Sequence, residues 1–173
     1  MEVAEALNAI AAAFPSRPLP AMTLRQAQLG DQTMSREIPE HEWVAEGERD
    51  RGVRWTDVEE QTLRECPAAL SFLDDEGFVY YVPAFLSAAL RQIIAGRLND
   101  DLVSHAVFAV THTNDNWSLA RLKRLTDPQI DAVIAFLRIV RERGGFDGDE
   151  ARRALTNYWE TPESHRRTLI YVP

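Results

Sequence analysis

Cysteine and lysine are nearly absent from this chain. Cys66 is the single cysteine among 173 residues. That excludes an intramolecular disulfide and a cysteine-based zinc site, and it suits a reducing compartment. Lys123 is the single lysine beside 18 arginines, a skew that reads, with the abundant alanine, as the codon bias of a GC-rich genome. No run of 18 uninterrupted apolar residues occurs, so no membrane-spanning helix is expected. The apolar N-terminus, "MEVAEALNAIAAAF", carries Glu2 and Glu5 where a secretory signal needs basic residues. A cytoplasmic location is the expectation. Phosphate-binding loops, Gly-rich dinucleotide turns, G-x-S-x-G and H-E-x-x-H are all missing. Their absence lowers the expectation of an enzyme without excluding one.

Apolar residues make up 45% of the chain and charged residues 27%, the balance of a globular protein. The length is that of one ordinary domain, 1–173, able to bury a core without metals or disulfides. The net charge of −8 is carried entirely by residues 1–75, which hold 7 arginines against 15 acids. Such a surface repels nucleic acid and anionic membranes and favours a basic protein partner.

Helical periodicity dominates. Val3, Leu7, Ile10 and Phe14 form one stripe, and "PSRPLP" ends that helix. Thr23 can cap a short second helix, and Thr56 with Glu59 can form a capping box for another. Segment 35–57 reads as irregular and acidic, with Pro39, Gly47, Gly52 and the tryptophans Trp43 and Trp55. Asn99 is the expected cap of a helix whose inner face is Leu102, Val103, Ala106, Val107 and Val110. Asp115 before Trp117 reads as a helix-entry device, and Ile130, Val133, Ile134, Leu137 and Val140 make a stripe ended by Gly144-Gly145.

The stretch "DDEGFVYYVPAFLSAAL", Asp74 to Leu90, is the unusual one. Asp74 to Gly77 has turn chemistry, with Gly77 free to take a positive φ. Phe78 to Val82 has the aromatic and β-branched content of a short strand, and Pro83 then opens a helix that stops near Gly96. The tail "TLIYV", residues 168–172, is the expected partner of strand 78–82. The expected fold is mainly α: one helical domain with a small β element.

Residues "ALSFLDDEGFVYYVPAFLSAAL", Ala69 to Leu90, resemble a family of uncharacterised bacterial proteins with an aromatic GF-x-x-Y-x-PA segment entering a helix. Leu70, Phe72, Leu73, Gly77, Phe78, Tyr81, Pro83 and Ala84 carry the resemblance, with Trp55 upstream. It implies a cytoplasmic protein of unknown activity and a toxin-immunity role. It brings no catalytic residues.

The strongest candidate site is acidic. Between Glu37 and Gln61 stand nine acids and three arginines. Glu40, Glu42, Trp43, Glu46, Glu48 and Asp50 are the candidate contacts for a basic protein partner, with Trp43 as anchor. The leading reading is a non-enzymatic protein-binding protein, in concrete form an immunity protein that neutralises a basic toxin. The alternative is a small enzyme or ligand-binding protein with a pocket near Tyr80, Tyr81, His105 and His112. On a continuous helix His105 and His112 lie roughly 10 Å apart, too far for one zinc ion, so no metal or cofactor is expected.

Overall fold

The computed structural model describes residues 2–34, 36–143 and 145–172. Among the described residues eleven α-helices run in order: α1 (Val3–Ala13), α2 (Leu24–Gln32), α3 (Glu40–Arg49), α4 (Glu60–Glu65), α5 (Ala69–Phe72), α6 (Asp75–Ile94), α7 (Asp101–Thr111), α8 (Asn116–Leu122), α9 (Asp127–Arg143), α10 (Gly148–Ala154) and α11 (Glu163–Thr168). A 3₁₀ turn at Trp55–Asp57 precedes α4, and a π-turn at Leu155–Trp159 extends α10.

The expected β element does not form. Phe78 to Val82 lie in the first half of α6, a 20-residue helix that runs through Pro83, and no strand occurs among the described residues. Thr168 ends α11, and Leu169 to Val172 continue without regular structure. The reason is burial on every side. Of the residues of α6, only Asp75, Glu76, Arg91 and Ile94 escape the core, so the segment carries no period to betray a helix. The acids read as a turn are instead its start: Asp74 caps the helix by accepting from the Gly77 N–H at 2.8 Å. Pro83 denies the Val79 carbonyl its usual helical donor. Packing around the helix outweighs that loss.

α6 is the axis of the fold. α1, α7, α8 and α9 pack directly against it; α10 lies against α9 and α7; α2 carries α3 and α5 on the other flank. Phe78, Tyr81, Phe85, Leu86 and Leu90 of α6 are fully buried and meet Ile10, Leu102 and Phe136 in one continuous core. By length and composition α6 also passes for a membrane span, but 89% of its most apolar window is buried inside the fold.

Local chemistry sets the helix ends. Thr23 and Gln26 form the capping box of α2. Gly96, at φ 76°, ends α6. Asp100, rather than Asn99, caps α7, accepting from the Leu102 N–H at 3.0 Å. Thr56 and Glu59 form no box: Thr56 sits in the 3₁₀ turn, and Glu59 precedes α4 without a side-chain cap. Of the Gly144-Gly145 stop, Gly144 lies outside the described residues, while Gly145 takes φ 86°.

Candidate functional site

The acidic segment is built around α3, a ten-residue helix in the stretch read as irregular; residue 35 itself lies outside the described residues. No residue of α3 is buried, and the helix rests on α2. The Gln26 amide donates to the Trp43 carbonyl at 2.9 Å, which pins α3 to α2 and leaves the indole half-buried. Trp55 serves the core instead, donating from Nε1 to the Phe14 carbonyl at 3.0 Å.

Most acids of α3 bring their own arginine. Arg36 meets Glu42 at 2.6 Å, Arg49 meets Glu46 at 3.0 Å, and Arg51 pairs with Glu48. Asp50 is only 6% exposed and is taken up by Arg25, accepting its backbone N–H at 2.9 Å and facing Nε at 3.4 Å. Glu37 and Glu40 have no ion-pair partner among the described residues. With Ile38, Pro39 and Trp43 they line an open cleft of about 560 Å³.

A larger groove lies elsewhere, between α7 and α10. It measures about 870 Å³, and Leu169 is among its lining residues. His105, Phe108 and His112 line it from α7, while Asp147, Glu150, Arg153 and Tyr158 line it from the α10 side. Both histidines of the pocket expected from the sequence line this groove. Tyr80 and Tyr81 do not join them: Tyr81 is 1% exposed in the core, and Tyr80 is buried with its hydroxyl donating to the Val53 carbonyl at 3.3 Å.

Burial and pairing set the electrostatics of the groove. His105 is half-buried, and desolvation holds it below its ordinary value of 6.5, with Asp101 and Asp100 opposing. It is neutral at pH 7. The His112 ring stacks on Phe108 with centroids 4.7 Å apart and points Nε2 at Asp115, 3.0 Å away. Burial pushes the Tyr158 hydroxyl up to about 12, so it stays protonated. Glu150 and Arg153 neutralise each other. Asp147 accepts from the Ser104 hydroxyl at 2.8 Å.

Sequence reasoning missed Phe108, Phe146 and Asp147. One signal was available for Phe108: it falls off the apolar stripe of α7, on the face shared by Ser104, His105, Thr111 and His112. Phe146 is 82% exposed, although Asn99 anchors its N–H at 3.1 Å. The other chemically suggestive residue, Cys66, is 1% exposed, and burial pushes its thiol up to about 11. It is an inert core thiol.

Residues 2–163 match a family of unknown function, DUF6714. No curated protein and no solved structure matches the chain.

Proposed function

The chain belongs to this family of unknown function, and we propose that it is a non-enzymatic binding protein whose α3 face receives a basic protein partner. The observation that carries this reading is the cleft beside α3. There a half-buried tryptophan shares a cleft with Glu37 and Glu40, whose carboxylates form no ion pair among the described residues. An amphipathic indole in one cleft with unpaired acids suits a lysine- or arginine-bearing surface. The net charge of −8 adds long-range attraction. Glu42, Glu46 and Glu48 contribute less than their number suggests, because exposed acids already paired with arginine gain little from a second cation. The concrete case is a basic toxin whose active cleft is covered by this face, the role that the resemblance at Ala69 to Leu90 suggests.

The test is capture from the host lysate at low salt and at about 0.5 M salt, followed by kinetics on the captured protein. One basic, stoichiometric partner is expected, with an association rate that falls steeply with salt. The Glu37→Lys/Glu40→Lys double variant should lose it. An association rate indifferent to salt and to the double variant would overturn the reading.

A second reading is favoured by the groove, where His105, Phe108 and His112 share one wall. It makes the chain a ligand-binding protein or small enzyme, with Tyr80 and Tyr81 as core residues outside the site.

A further inference from the structure

We propose that the groove between α7 and α10 binds an organic ammonium group carried on an apolar body. This inference rests on the second, ligand-binding reading and names the chemistry of its ligand.

The apolar half of the argument is exposed aromatic surface turned toward a cavity. Phe108 is 51% exposed and Phe146 82% exposed, and both line the groove with Tyr158 and the His112 ring. Exposed phenyl rings at the wall of a cavity of about 870 Å³ form a hydrophobic lining that a ligand of moderate size would cover. Phe146 is also placed by its backbone: Gly145 adopts a left-handed φ, and Asn99 holds the next N–H. Aromatic faces carry a negative quadrupole, so the cation they suit is a soft organic one.

The polar half is a charge count over every titratable group lining the groove. His105 is neutral and repels no cation. His112, its ring stacked on Phe108, turns its Nε2 to the Asp115 carboxylate. The charge of Arg153 is taken up by Glu150. Asp147 remains, half-buried, with the Ser104 hydroxyl as its hydrogen-bond donor and no ion pair among the described residues. One uncompensated carboxylate among four rings disfavours an anion. A hard metal ion has too few ligands, because no cluster of three metal-binding side chains occurs among the described residues. An ammonium satisfies both halves: its N–H groups reach Asp147 while the body lies on Phe108 and Phe146. The same chemistry is offered by a free amine and by the lysine side chain of a protein.

The experiment is a calorimetric and ¹H–¹⁵N NMR titration of the full chain with three probes. These are phenethylammonium, its anionic counterpart 3-phenylpropionate, and a blocked Phe-Lys dipeptide. Phenethylammonium should bind and shift groove amides such as Asn114 and Asn157, while 3-phenylpropionate should not. Asp147→Asn keeps the shape and the Ser104 acceptor but removes the charge, and should weaken ammonium binding roughly tenfold. A dipeptide tighter than the free amine assigns the ammonium to a protein side chain, and a weaker one to a small amine; both support the inference. Equal binding of amine and carboxylate, or an unchanged affinity in Asp147→Asn, overturns the ammonium assignment and leaves the groove a ligand site. No groove shifts with any probe at millimolar concentration overturns the ligand-binding reading as well.

Discussion

Replacing Gly77 with alanine should destabilise the protein, although alanine is the better helix former. Gly77 is the third residue of α6 and has no positive φ, so its lack of a side chain serves close approach. An added Cβ would lie 2.6 Å from Leu73 Cδ2, 3.0 Å from Asp74 Oδ1 and 3.2 Å from the Met22 carbonyl oxygen. Two of these neighbours yield only at a cost. Leu73 is fully buried, and the Asp74 carboxylate is the cap that accepts from the Gly77 N–H itself. Overpacking of this kind costs about 1–3 kcal/mol, and a disturbed cap about 1 kcal/mol. Helix propensity returns at most about 1 kcal/mol. The net loss is about 2 kcal/mol, a fall in Tm of about 4–8 °C for a chain of this length. Gly30, inside α2, is the matched control: nothing lies within 4 Å of its added Cβ. Gly30→Ala should raise Tm by up to about 4 °C on propensity alone. Scanning calorimetry of both variants decides the matter. A Gly77→Ala protein as stable as the parent would refute the claim that the start of α6 is seated against the Met22 backbone.

Two further outcomes follow from burial. Cys66 should resist a thiol reagent such as DTNB at pH 8 in the folded protein and react fully in denaturant; rapid labelling of the native chain would contradict its place in the core. His105 is held below its ordinary value of 6.5, so between the two values the unfolded chain binds more protons than the native one. The stability this histidine lends is therefore complete above pH 6.5 and is lost as pH falls below it. Urea titrations at neutral and mildly acid pH should show a smaller loss in His105→Gln than in the parent, and equal losses would place His105 in water.

What the linear sequence determined is the part of the protein with a local cause. The stripe Val3, Leu7, Ile10 and the stripe Ile130, Val133, Leu137 became α1 and α9, because a half-buried helix writes its period into the chain. Thr23, Asp115 and Gly96 mark ends whose hydrogen bonds close within a few residues. That His105 and His112 share a helix face also followed from their spacing. Tertiary structure decided the rest. Phe78 to Val82 suit a strand or a buried helix equally by composition, and only neighbours on every side made them helical, even across Pro83. Asp50 looked like free charge until folding turned it inward to Arg25, 25 positions away, whereas Arg49 and Arg51 neutralise Glu46 and Glu48 locally, three positions along the chain. The groove needs α7 and α10 side by side, and Ser104 and Asp147 meet across 43 positions of chain. No local period or motif carries a contact of that range, because the energy that forms it comes from the burial of α7 and α9 against α6 and of α10 against both, and not from the residues that line the cavity.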